Sequence, residues 1–150
     1  MPLLVISGMD PAAAFVPSAM TKNGTQQLVG DFSQIIKWNA DTAGYPGSTV
    51  VSNGLQALKA KAGATVIARL PFSGGGAGLD GGISQQARLV VNGTVVLGPE
   101  QGGTSGVLTV SGTFDLKEGD VVKVEARCTV GIGGTASTIA SGAGTYVRIA

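Results

Sequence analysis

The sequence predicts an all-β fold, a sandwich or barrel of about eight to ten antiparallel strands, and three observations lead there. Residues Ala87 to Leu97 place β-branched runs on either side of Asn92-Gly93. That pair most readily takes positive φ at both centres of a type I′ turn, so a tight hairpin is expected. Further on, Val122, Val124, Ala126, Cys128 and Val130 alternate with Lys123, Glu125, Arg127 and Thr129, the period-two pattern of a strand with one buried face. The composition agrees: 25 Gly, 6 Pro and only 13% charged residues interrupt β-branched runs too often for long helices.

A length of 150 residues suits one domain, which would bury roughly 70% of the surface its unfolded chain exposes. Residues 1–27 differ from the rest, with Pro2, Pro11, Pro17 and an alanine run at 12–14 but no clear period two. They are expected to form an N-terminal arm whose apolar Leu3, Val5, Phe15, Val16 and Met20 are candidate assembly contacts. The competing expectation is a first strand with an irregular lead-in, packed on its own domain.

The head domain, residues 28–150, carries strand patterns at 32–39, 48–60, 63–73, 83–91, 94–98, 106–116, 120–130 and 144–150. Between the sixth and seventh, Lys117 to Asp120 reads as a turn. Gly119 suits it, and the Asp120 side chain can accept hydrogen bonds from nearby backbone N–H groups. Propensity alone favours a helix over Ser52–Ala62, because Leu55, Gln56, Ala57, Leu58 and Lys59 are good helix formers. In the last strand Thr145, Val147 and Ile149 share one face, and Tyr146 and Arg148 the other. Tyr146, Val147 and Ile149 are therefore added to the candidate assembly contacts. Asn-Gly pairs at 23, 53 and 92 are unequally spaced, which excludes a simple solenoid.

The chain contains no histidine, which removes Ser-His-Asp and Cys-His catalysis and most zinc sites. Cys128, the single cysteine, lies on the apolar face of its strand and reads as a small core hydrophobe rather than a nucleophile. Gly76, Gly78 and Gly81 have dinucleotide-loop spacing, but the residues after them run into a strand instead of the helix N-terminus that a pyrophosphate needs. Asp115, Glu118 and Asp120 cluster at a turn that solvation explains. No catalytic residue, cofactor or metal site is expected.

Ten basic against nine acidic side chains give no field to recruit nucleic acid, and one Trp, two Tyr and four Phe are too few to stack bases. Leu3 to Ile6 lack a basic flank, and Asp10, Pro11 and Pro17 interrupt the stretch after them. This argues against a signal peptide and against membrane insertion.

Several stretches, taken in order, resemble the jelly roll of the tumour-necrosis-factor and complement globular-head superfamily, particularly its bacteriophage versions. Ile35-Ile36-Lys37-Trp38-Asn39 is similar to the opening strand, and Leu58 to Phe72 to a turn glycine before a long strand. Arg88 to Gly93 resembles a strand-to-turn step. Phe114 to Val124 is similar to the Leu-x-x-Gly-Asp-x-Val signature, and Gly144 to Ala150 to the closing strand.

The resemblance covers about residues 30–150. It implies a jelly-roll β-sandwich with Leu55 to Ala60 extended rather than helical, and a turn at Lys61 to Gly63. It also implies a homotrimer with one sheet of each protomer facing the threefold axis. A mean hydropathy of +0.32 agrees with apolar surface that partners cover.

The function expected is that of a non-enzymatic bacteriophage virion protein, made in the host cytoplasm and mounted on the tail or capsid exterior. It would be held by its arm to other virion proteins, as a minor tail or tail-tip component or else as a capsid decoration protein. The alternative of another class is a module binding a host-surface glycan or receptor through loops Gly74–Gly82 and Gly98–Gly106.

Overall fold

The computed structural model describes residues 14–102 and 106–150, with side chains for all of these except 100–102. Thirteen strands and no helix occur among them. The strands are β1 (Ser18–Lys22), β2 (Gln26–Gln27), β3 (Ser33–Gln34), β4 (Trp38–Ala40), β5 (Val50–Val51), β6 (Gly54–Gln56) and β7 (Lys61–Ser73). They continue as β8 (Ile83–Val91), β9 (Thr94–Gly102), β10 (Gly106–Leu116), β11 (Val121–Val130), β12 (Thr138–Ile139) and β13 (Gly142–Ile149).

All pairings are antiparallel and form two sheets. The first runs β4-β1-β13-β7-β10, with β12 and β2 continuing beside the end of β7. The second runs β5-β6-β11-β8-β9, with β3 beside β6 on the same edge of β11. The chain changes sheet between β2 and β3, β3 and β4, β4 and β5, β6 and β7, β7 and β8, β9 and β10, β10 and β11, and β11 and β12. This is the jelly-roll winding that the resemblance implied.

The core lies between the sheets, where alternate side chains meet. The first sheet contributes Met20, Val66, Leu70, Val110, Val147 and Ile149, and the second Leu55, Leu89, Val122, Val124, Ala126 and Cys128, all at most 1% exposed. The period-two reading of β11 therefore holds at every residue from Val122 to Cys128. Cys128 is a buried free thiol, with its sulfur 3.5 Å from the Ser137 N–H.

Several boundaries differ from expectation. The strand expected at 32–39 is two short pieces, because Lys37 takes φ 61° and bends the chain so that the Trp38 indole can donate to the Ile35 carbonyl at 2.8 Å. The segment 48–60 is neither helix nor one strand. Ser52 and Asn53 have φ 48° and 59° and join β5 to β6 as a tight hairpin. No turn occurs at Lys61 to Gly63; β7 already starts at Lys61, and Gly63 at φ 66° takes up the irregularity where β10 shifts register between Phe114 and Leu116. Strand β9 runs on to Gly102, so part of the expected Gly98–Gly106 loop is strand; residues 103–105 lie outside the described residues.

The largest difference is at the N-terminus. The expected arm boundary after residue 27 cuts through the sandwich, since β1 pairs on one side with β13 and on the other with β4. Met20 is fully buried. The reason is register: Met20 sits opposite Val147, and both point to the facing sheet. Leu3 and Val5 lie outside the described residues.

The alternation in β11 makes a direct stability prediction. Val124→Asp, which places an uncompensated carboxylate among apolar side chains, should lower unfolding free energy by at least about 3 kcal/mol. Thr129→Lys, on the exposed face of the same strand, should stay within about 0.5 kcal/mol of the parent. Urea unfolding of both variants checks the register, and a small effect for Val124→Asp would contradict it.

Candidate assembly face and loop tip

The outward face of the first sheet is built by residues that alternate with its core positions. On β13 these are Tyr146 and Arg148; on β7, Thr65, Ile67 and Arg69; on β10, Thr109, Ser111 and Thr113. Between Thr65 and Pro71, Val107 and Thr113, Gly144 and Arg148, and Ala19 and Thr21, no outward position is Lys, Asp or Glu. The two arginines are handled within the chain without a carboxylate. Arg148 stacks its guanidinium on the Tyr146 ring at 3.7 Å and lies 5.6 Å from that of Tyr45, while its Nε is buried without a hydrogen-bond partner. Arg69 donates from Nη1 to the Gly144 carbonyl at 2.7 Å.

The outward face of the second sheet is different in kind. It carries Lys123, Glu125, Arg127 and Arg88, with Arg88 Nε 2.6 Å from Glu125 Oε2 and the Arg88 and Arg127 guanidinia both stacked against the Phe32 ring, 4.2 and 4.5 Å from its centre. Surfaces that associate are depleted in Lys, Asp and Glu and enriched in Tyr and Arg. The first face has that composition and the second does not.

At one end of the sandwich the loop Gly74–Gly82 lies against Gly131–Thr135. Gly76 and Thr135 exchange backbone hydrogen bonds at 2.8 and 2.9 Å, Leu79 N–H donates to Ile132 O at 2.9 Å, and Gly131 N–H donates to Gly82 O at 2.9 Å. The loops approach so closely that a Cβ on Gly78 would lie 2.2 Å from the Gly131 carbonyl carbon. Only glycine fits there. Leu79 and Ile132 stand at this tip, 92% and 81% exposed, and nothing in the sequence pattern singled them out. The glycine spacing at 76, 78 and 81 thus serves loop packing, and strand β8 comes directly after it.

Of the residues expected to mediate assembly, Tyr146 is half-exposed and outward. Val147 and Ile149 are fully buried, because β13 is a central strand with one face against the other sheet, and so they offer a partner nothing. Met20 is excluded for the same reason. Phe15 and Val16 are half-buried; Phe15 packs against the core, with Lys61 Nζ 4.5 Å from its ring centre.

The turn residues are where the sequence put them. Asn92 and Gly93 have φ 48° and 83°, as a type I′ turn requires. Asn92 also bridges two elements, donating from Nδ2 to Asp120 Oδ1 at 2.8 Å and accepting from Val121 N–H at 2.9 Å. Gly119 has φ 90°, and Asp120 Oδ2 accepts from Lys117 N–H at 2.8 Å. Among the described residues no group of three or more His, Cys, Asp or Glu is placed to hold a metal ion.

Murine APRIL, in a crystal structure at pH 8.5, superimposes with a TM-score of 0.57 over 89% of this chain and 96% of its own, at 11% identity. The fold is a TNF-like jelly roll. Eiger TNF from S. frugiperda matches with a TM-score of 0.50 over 90% of each chain, at 14% identity. At such identities the likeness is one of fold. No family model matches the sequence, and no curated protein does.

The Asn92–Asp120 contact carries a pH prediction. The Lys117 N–H chiefly, then the Asn92 amide and the Lys117 charge, hold the Asp120 carboxyl below its ordinary value, against a smaller opposing effect of burial. A carboxyl depressed in the folded state stabilises above its unfolded pKa, and that stability is lost as pH falls through the folded value. Asp120→Asn should therefore be less stable than the parent by a constant margin above about pH 5, a margin that closes below about pH 4. Urea midpoints across that range check it, and a margin unchanged in acid would refute the linkage.

Proposed function

We propose that the chain is a non-enzymatic structural head that forms a homotrimer through the outward face of its first sheet and presents its loop tip to the surroundings. The observation that carries this reading is the middle of that face: Tyr146, two arginines without carboxylate partners, small hydroxyl side chains, and no outward Lys, Asp or Glu between Thr65 and Pro71, Val107 and Thr113, or Gly144 and Arg148. A tyrosine-centred surface of this kind loses little on desolvation and gains aromatic contact area. The absence of histidine from the chain and, among the described residues, of any cluster of catalytic groups supports a non-enzymatic role.

The resemblance of Phe114 to Val124, and of the order of elements around it, to bacteriophage jelly rolls supports placing this head on a virion. A minor tail or tail-tip protein is the first assignment and a capsid decoration protein the second. In either case, attachment to neighbouring virion proteins falls to residues before 14, since those from Ser18 onward build the sandwich. A receptor-binding role is the reading favoured by a separate observation, the exposed Leu79 and Ile132. Their aliphatic character suits contact with protein better than sugar stacking, which needs a ring.

At low micromolar concentration the purified protein should have a native mass three times the 14.8 kDa of the chain. Tyr146→Glu should reduce it to one chain without lowering the thermal midpoint of the isolated fold. A monomeric parent would refute association through this face. Removal of residues 1–13 should leave the trimer intact and abolish incorporation into particles; continued incorporation would refute attachment through that segment.

A further inference from the structure

A row of side chains crosses the outward face of the second sheet near its hairpin end. Val51 pairs with Gly54; Gly54 lies beside Lys123; Lys123 pairs with Val90; and Val90 pairs with Val95. Glycine leaves a gap in this row. A Cβ at Gly54 would lie 2.3 Å from Val121 Cγ1 and 2.8 Å from Lys123 Cγ, so the aliphatic stem of Lys123 lies down across the missing side chain. The result is a recess of about 190 Å³ lined by Val51, Ser52, Asn92, Gly93, Val121 and Lys123.

The charge in this recess is unbalanced. Lys123 is its one charged lining residue, and no ion pair or hydrogen bond of its ammonium occurs among the described residues. The neighbouring carboxylates are engaged elsewhere, Glu125 by Arg88 at 2.6 Å and Asp120 by the Lys117 N–H and the Asn92 amide at 2.8 Å. Val51, which lines the recess, is 38% exposed. The side-chain amide of Asn92 on the rim is already engaged by Asp120 and Val121, so the recess offers an apolar wall and one cation, the chemistry of a small-ligand site.

We propose that this recess binds a small free carboxylate with a short aliphatic body, the carboxylate meeting Lys123 and the hydrocarbon lying on Val51 and Val121. An exposed lysine alone holds a carboxylate weakly. Both parts of the ligand are therefore needed, which excludes inorganic anions and uncharged alkyl compounds as equal occupants. The site faces away from the proposed assembly face and does not depend on trimer formation.

The test is a titration of the full-length isotope-labelled protein with butyrate, read out by backbone amide chemical shifts, with butyramide as the uncharged control. Butyrate should produce saturable shifts in the low-millimolar range, confined to residues 51–54, 92–93 and 121–123, and butyramide should bind at least about tenfold more weakly. Lys123→Met, which keeps the stem and removes the charge, should bind both compounds equally and weakly while retaining the parent's thermal midpoint. Shifts that do not saturate by about 50 mM, equal binding of butyramide by the parent, or undiminished butyrate binding by Lys123→Met would each overturn the assignment.

Discussion

The register of β7 is the constraint on which the rest of the structure depends. This strand of 13 residues is hydrogen-bonded along nearly its whole length to β10 on one side, and to β13 and then β12 on the other. Its inward positions are Ala64, Val66, Ala68, Leu70 and Phe72, none more than 4% exposed. A slip of one residue would turn all five outward and place Thr65, Ile67, Arg69 and Pro71 between the sheets. Burying the Arg69 charge without a partner is enough by itself to forbid that arrangement. The neighbouring strands inherit their facing from β7: Val147 lies opposite Ala68, Val110 opposite Ala68 on the other edge, and Met20 opposite Val147.

The same alternation separates the two kinds of outward surface. Where the middles of β7, β10 and β13 meet solvent, the period-two pattern leaves threonine, serine, tyrosine, arginine and Ile67, with Lys61 and Asp115 at one end; where β8 and β11 do, it leaves a mixed charged lattice around Phe32. Around Phe32 the charges are satisfied, with Arg88 and Glu125 paired and both arginines stacked on one ring, and Lys123 alone stands outside that group. The first face is incomplete, since the buried Nε of Arg148 lacks a partner, a cost of about 1–3 kcal/mol. The proposed self-association thus uses one sheet and the proposed carboxylate recess the other. The fold keeps them on opposite sides because each sheet has only one face left to offer.

Much of this was legible in local chemistry. Asn92-Gly93 specified its turn because both residues accept positive φ, and β11 specified its facing because charged and apolar residues alternate without exception from Val122 to Cys128. Strand β1 was hidden for the opposite reason. Of its five residues only Met20 is a large apolar group, while Ser18 and Lys22 are buried polar ones. Ser18 Oγ donates to the distant Gln56 carbonyl, and Lys22 Nζ to the Gly24 carbonyl at 2.8 Å. Burial pushes the Lys22 ammonium below its ordinary pKa, with the Lys37 charge adding to the effect. Residues 48–60 misled for another reason. Their helix formers and their strand pattern both run through a two-residue turn centred on Ser52-Asn53; Gly54 is displaced one residue past that turn, where a position without a side chain is needed beneath Val121 and Lys123.

That displacement shows what glycine does in this chain beyond making turns. At Gly54 the absent side chain opens a recess in a sheet face; at Gly78 it lets two loops touch, which projects Leu79 and Ile132 into solvent. Neither position has a positive φ, so backbone conformation alone would tolerate alanine at both. The requirement is spatial, set by residues 67 and 53 positions away along the chain, Val121 and Gly131 respectively. No window of local sequence contains both partners. Turn glycines are therefore readable from sequence and packing glycines are not, and it is the packing glycines that shape the recess and the tip.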